Sequence, residues 1–182
     1  MPLNAPVLSA AKVGVGVSGS LAFGPTGTTL PTSTTGSLNA AIREMGYLTE
    51  DGLTEHTEVE REGIPLWQNA AQARETPTGA RFFFAGTFAE TNVPVIEAVY
   101  GTTVTQTATH GSYEINPAKS SGRGVGVATI LDGQEVKVIT SADCEIFKAG
   151  AVEYKNGVPI GYPFEMVCYD KPMVYDTRLR SA

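Results

Sequence analysis

The stretch Gly14-Val15-Gly16-Val17-Ser18-Gly19 has the G-x-G-x-x-G spacing with which a glycine-rich turn cradles a dinucleotide pyrophosphate. That chemistry needs a helix N-terminus directly after the glycines and an acid about twenty residues downstream for the ribose. Here SLAFGPTG follows, and the first acid in the chain is Glu44, so the glycines read as strand residues. His56 and His110, the only histidines, have no cysteine nearby and no H-x-x-x-H spacing, which gives no metal-ligand set. Ser18 within GVSGS lacks the G-x-S-x-G register of a nucleophile elbow, and Ser112 near His110 has no third group placed to orient a base. Cys144 and Cys168 are too few and too far apart in sequence for a disulfide framework or a zinc site, and read as small core hydrophobes on strands. No catalytic residue, metal or cofactor is expected from this inventory. The acids Glu55, Glu58, Glu60 and Glu62 read as the solvated face of a hairpin that, in an assembly, would meet basic partners.

The elements that carry these residues follow from composition. A chain of 182 residues, 42% hydrophobic and 18% charged, is long enough for one folded unit with a substantial core. Twenty glycines and eleven prolines divide it into many short extended segments, the signature of a mainly β sandwich or barrel. The net charge of −6 opposes the counterion release that drives tight nucleic-acid binding. The N-terminus carries no cationic region ahead of an apolar core, and no window reaches the roughly 18 apolar residues of a membrane span, so no membrane anchor is expected and the chain reads as soluble and cytoplasmic.

Along the chain, residues 1–11 read as an arm interrupted by Pro2 and Pro6. Val13, Val15, Val17, Leu21 and Phe23 alternate with Gly14, Gly16, Ser18, Ser20 and Ala22, a strand with one small-residue face. After the turn-rich link 24–36, Ser37 caps a short helix with Leu38, Ala41, Ile42 and Met45 at helical spacing and Gly46 as its stop. A long hairpin over 50–80 places His56, Glu58 and Glu60 on one face; Gly63 and Pro65 break its first strand, and Ile64, Leu66 and Trp67 lie on its return arm. Trp67, the only tryptophan, is either core or an interface anchor. The segment 81–87, RFFFAGT, is apolar on both faces and reads as a strand covered on both sides. Asn92, Pro94 and Gly101 bound a helix with Val95, Ile96, Val99 and Tyr100 on one side. Asp132-Gly133 and Asn156-Gly157 signal two hairpins, a last strand runs over 162–169, and 171–182 read as a polar C-terminal arm.

The ordered set of segments resembles the major tail (tail tube) proteins of long-tailed, non-contractile bacteriophages, particularly those of actinobacteria. The resemblance rests on the GPTGT-x-x-P segment at 24–31, MGYLTEDGLTE, IPLWQ, RFFFAGTFAETNVPVIEAVYG and NGVPIGYPFEMVCYD, and covers most of the chain. It implies a β-sandwich or barrel of the tail tube type with a flanking α-helix, a long hairpin loop and extended terminal arms, in one domain over 1–182. It further implies a structural, non-enzymatic virion protein, made in the host cytoplasm, whose hexameric rings stack into a tube for genome delivery. The implied partners are further copies of itself, the tape-measure protein, and the terminator and tail-tip proteins, with double-stranded DNA passing through without specific binding. The residues expected at the assembly interface are His56, Glu58, Glu60, Ile64, Leu66 and Trp67. A β-sandwich binding module on a virion or cell surface is the competing class and predicts exposed aromatics clustered in loops; a further alternative is another tail component, such as a terminator or a secreted tube protein.

Overall fold

A computed structural model describes residues 13–65 and 72–180. Ten strands and one helix succeed one another as β1 (Ser18–Pro25), β2 (Arg43–Glu44), β3 (Leu48–Pro65), β4 (Gln72–Phe88), α1 (Val93–Tyr100), β5 (Thr105–Gln106), β6 (Gly111–Ser112), β7 (Arg123–Asp132), β8 (Glu135–Lys148), β9 (Tyr162–Cys168) and β10 (Met173–Asp176), before a 3₁₀ turn at Thr177–Leu179. The expected mainly β architecture is present as one antiparallel sheet in the order β2-β1-β7-β8-β9-β4-β3, with β10 also paired to β8 and β5-β6 forming a separate ribbon.

Strand β8 turns this ladder into a curved layer. Gly124 pairs with Cys144 and Gly126 with Ser141, so two residues of β8, Ala142 and Asp143, oppose the single Val125 of β7. A bulge of this kind bends the strand and reverses the alternation of its faces. Ile139 before it and Cys144 and Ile146 after it therefore all point into the main core. Along one edge of β8, residues 137–140 carry β10 and 144–148 carry β9. Leu21, Ala128 and Ile139 from one half of the sheet meet Phe84, Phe88, Phe164 and Met166 from the other in a single cluster. Phe88 stacks on Phe164 with ring centroids 3.9 Å apart. Gly126 leaves the room this requires, because a Cβ there would lie 2.8 Å from both Cys144 Sγ and Met166 Sδ.

Helix α1 closes the inner side of the curve. The Asn92 side chain accepts the Val95 N–H at 2.9 Å, capping the first turn, and Gly101 ends the helix at φ 59°. Val95, Ile96, Val99 and Tyr100 are buried as the spacing requires, within the core rather than at its flank. The helix expected over 37–45 is absent. Asn39 instead folds an Asx turn, its Oδ1 accepting the Ala41 N–H at 3.0 Å, and Arg43 and Glu44 pair with β1. Leu38 and Ile42 pack with Leu30, Val125, Val127 and Val138 in a second cluster on the outer face of β1, β7 and β8. The turn-rich link is thus a cover for that face.

Gly46 keeps its predicted left-handed conformation, φ 83°, but ends a bend rather than a helix. A Cβ on Gly46 would sit 2.5 Å from the Glu90 carboxyl carbon, whose Oε1 accepts the Tyr47 N–H at 2.8 Å. Asn92 donates to Met45 O at 3.2 Å and Glu90 Oε2 at 3.0 Å, so the bend is docked on the start of α1.

Other expectations need correction. Val13, Val15 and Val17 are exposed and precede β1, so the strand is shorter than its alternation. The two unpaired residues after Asp132 are Gly133 and Gln134, one position later than expected. Asn156-Gly157 forms a turn but no hairpin: residues 153–155 and 158–160 are exposed and lie in no strand, and β9 begins only at Tyr162. The C-terminal segment is no free arm: β10 pairs with β8, and Arg178 bonds Asp132, whose Oδ2 also accepts the Val15 N–H at 2.8 Å. Residues 1–11 lie outside the described residues. Pro163 sits in an interior strand but near its start, beyond the last β8 pair at Lys148–Phe164, where its missing donor costs little.

A Cβ on Gly101 would lie 1.9 Å from the Ser120 carbonyl oxygen, whereas one on Gly27, also at positive φ, would meet nothing within 4 Å. Gly27→Ala is expected to cost about 1 kcal/mol, the left-handed penalty alone. Gly101→Ala is expected to cost at least about 3 kcal/mol, since backbone must move. Urea unfolding of the two variants measures the difference, and equal costs would mean that the 101–120 contact is dispensable.

Candidate functional site

The longest pairing in the molecule is the β3–β4 hairpin, and half of it stands outside the sheet. Strand β9 pairs with β4 only from Phe82 to Phe88. Beyond that line, among the described residues, Glu58–Pro65 and Gln72–Arg81 pair only with each other, over about 25 Å at roughly 3.3 Å per residue. Every described side chain of Glu58–Glu62 is exposed, and Val59 and Ile64 show 43% and 52% of their surface. A two-stranded ribbon with no third strand and no covering layer is at best marginally stable in water. Thr78 is an extra residue between the Glu60–Gly79 and Arg61–Pro77 pairs, a bulge that adds twist. The outer edge of β3 is unpaired along its whole length among the described residues, as is that of β4 up to Arg81.

The base of the ribbon is fixed by a cluster on the outer face. His56 lies opposite Phe83 and stacks on it, centroids 4.7 Å apart and planes 8° from parallel. Arg81 lies over the same ring at 4.3 Å and bonds Glu165 at 2.6 Å, with Glu58 3.6 Å away. Phe83 is consequently buried although it points away from the main core. The expectation that RFFFAGT is covered on both sides is met by this cluster on the outside and by the α1-centred core on the inside, where Phe84 lies.

Of the expected interface residues, His56 and Glu58 share this face at the base and Glu60 continues it outward opposite Gly79. Ile64 belongs to the outgoing strand, paired with Arg74, not to the return arm; Gly63 and Pro65 lie within β3 and do not break it. Leu66 and Trp67 lie outside the described residues. Arg81 and Phe83 complete the site, and the signal for them was present in the ARFFF run as a cation beside an aromatic on alternating positions. The acids are not one continuous row: Glu55 lies opposite Phe84, on the other face, and approaches Lys137 at 3.7 Å.

The remaining candidates stay apart from this ribbon. His110 is held by Thr107 and Thr109 in the β5–β6 turn, Thr109 Oγ1 lying 3.0 Å from its Nδ1. Among the described residues no group of three or more His, Cys, Asp or Glu is placed to hold a metal, and no helix is long and apolar enough to cross a membrane. The GVGVSG segment runs into β1, not into a helix, and its Gly16 and Gly19 line a groove with Tyr47–Leu53 and Thr129–Ile130. Neither the protein-family models nor the curated proteins contain a match to the chain.

Arg81 joins the ribbon to the sheet through exposed ion pairs and one ring contact, which together are worth about 1 kcal/mol or less of global stability. Arg81→Gln is expected to leave the unfolding midpoint within a few degrees while hydrogen exchange quickens selectively in 58–65 and 72–80. Exchange unchanged in those segments would show that Arg81 does not anchor the ribbon.

Proposed function

We propose that the chain is a structural subunit that self-assembles through its projecting hairpin, as the tail tube protein of a long-tailed phage, in stacked hexameric rings that form the conduit for genome delivery. What supports the reading is the ribbon itself: about half of the longest hairpin is exposed, with two open edges and no third strand among the described residues. Native sheets normally guard such edges, and a subunit made to polymerise has reason to leave them open for a neighbour. The net charge of −6 suits a lumen through which DNA must pass without being held. In this reading the partners are further copies of the chain, a tape-measure protein inside the tube, and terminator and tip proteins at its ends. The location is the virion tail.

A second reading, a binding module, draws on the loops 102–122 and 149–161. There Tyr154 is 72% exposed, and Tyr113 lies 5.6 Å from Tyr100 at the end of α1. That cluster is smaller than the ribbon and shares its ring contacts with the fold.

Purified protein across a concentration series, followed by light scattering and negative-stain electron microscopy, tests the assignment. Because Glu58 and Arg81 are directly opposite, residues 59–80 can be replaced by Asn-Gly, a two-residue turn that preserves the register. The full chain is expected to form rings or tubes of uniform diameter, alone or with tape-measure and tip proteins. The trimmed variant should keep its circular dichroism and thermal midpoint but remain a monomer. Assembly by the trimmed variant would remove the hairpin from the interface, and a full chain that stays monomeric with those proteins present would remove the tube.

A further inference from the structure

The two cysteines, distant in sequence, are directly opposite across β8 and β9. The hydrogen bonds fix which kind of pair they form. Tyr169 N–H donates to Asp143 O at 2.8 Å and Ala149 N–H to Pro163 O at 3.0 Å, so the odd-numbered residues of this part of β8 occupy the hydrogen-bonded positions. Cys144 and Cys168 therefore form a non-hydrogen-bonded pair, where antiparallel Cα atoms approach to about 4.5 Å. That separation is within the range a disulfide spans, about 4.4–6.8 Å. Both side chains point into the same core cluster, and both are free thiols.

Access is one-sided. Cys144 is fully enclosed, while Cys168 keeps 6% of its surface and lines an open groove of about 540 Å³ with Thr57, Phe82, Phe147 and Tyr169. Ser141 at the β8 bend, whose hydroxyl donates to Asp170 Oδ1 at 2.7 Å, stands beside the pair. Burial pushes the Cys168 thiol up to about 11, partly offset by Ser141; burial and then the neighbouring Cys168 push Cys144 higher still. The pair is therefore slow to react at neutral pH, and faster as pH rises.

We propose that Cys144 and Cys168 are an oxidisable cross-strand dithiol that closes to a disulfide, tying β8 to β9 immediately beside the bend on which the curved sheet depends. With a diazene oxidant such as diamide, the Cys168 thiolate adds through the groove to one nitrogen of the N=N bond. The Cys144 sulfur then attacks Cys168 Sγ, the S–S bond forms and the S–N bond breaks. The two thiol hydrogens and two electrons end on the hydrazine, so the thiols are oxidised and the diazene reduced.

The test oxidises the reduced full chain with diamide in native buffer, then denatures, alkylates and weighs it. The expected product has lost two hydrogens and both alkylation sites, joins the Cys144 and Cys168 peptides within one chain, and forms about tenfold faster per pH unit between pH 7 and 9. Its thermal midpoint should exceed that of the reduced chain by about 5–10 °C, the return for closing a loop of this length. Cys168→Ser should leave Cys144 unmodified on the same timescale. Two alkylated thiols after oxidation, a crosslink between chains, or an unchanged or lowered midpoint would each overturn the proposal. In Cys168→Ser, Cys144 reacting at the wild-type rate would overturn the order of attack.

Discussion

One sheet has to keep a single apolar face turned inward while it curves around an eight-residue helix, and the bulge in β8 is where that demand is met. A strand that bends without an extra residue would carry its alternation unchanged through the bend and present the wrong face to one half of the core. With two residues set against one, Ile139 and Ile146, seven positions apart and so of opposite parity, both reach the main cluster. The other half of the constraint falls on β7, whose Gly124 and Gly126 carry no side chain where Phe23, Cys144 and Met166 fill the space. The outer face of the same strands is then left apolar at Val125, Val127 and Val138. The segment 26–42 exists in its observed form to cover it.

This double burial explains which parts of the fold were legible in the sequence. Helix α1 was read with its cap and stop because those signals are local: an Asn side chain three residues from the amide it accepts, a proline in the first turn, a left-handed glycine. The apparent helix over 37–45 had equally regular spacing for a different reason. Leu38 and Ile42 serve the outer cluster and Met45 the main core, so a chain crossing from one apolar compartment to another reproduced the i, i+4, i+7 pattern without any helix. Asn39 tipped the balance, since its side chain satisfies the backbone in a turn that competes with the first helical hydrogen bonds.

Turns and strand partners separate in the same way. Gly157 adopts the positive φ that its Asn-Gly context favours, yet no hairpin forms: residues 153–155 and 158–160 are exposed and gain no packing that would hold them as strands. Gly63 and Pro65 looked like a break but sit in β3, where an unpaired outer edge tolerates a residue without an amide hydrogen. Period-two alternation revealed His56, Glu58 and Glu60 as one face. It could not show that this face is anchored by Phe83 and Arg81, because that contact depends on a register set some 25 residues away. The Cys144–Cys168 pairing was illegible for a like reason, being a product of β8–β9 register alone.

The charges on the ribbon bear on how copies of the proposed subunit would meet. Strand β3 carries Glu50, Asp51, Glu55, Glu58, Glu60 and Glu62 against Arg61, while β4 carries Arg74 and Arg81 against Glu75. Two β3 edges brought together by a two-fold axis would set acids against acids, at a cost of a few tenths to about 1 kcal/mol for each opposed pair. A β3 edge meeting the β4 edge of the next copy avoids that repulsion and places arginines within reach of carboxylates. The first arrangement is isologous and ends at a dimer; the second is heterologous, and contacts of that kind close into rings or continue into filaments. Individually such surface pairs are weak and add little to the free energy of association. Their effect is selective: the asymmetry between the two strands disfavours the closed dimer and leaves open the contact that a ring requires.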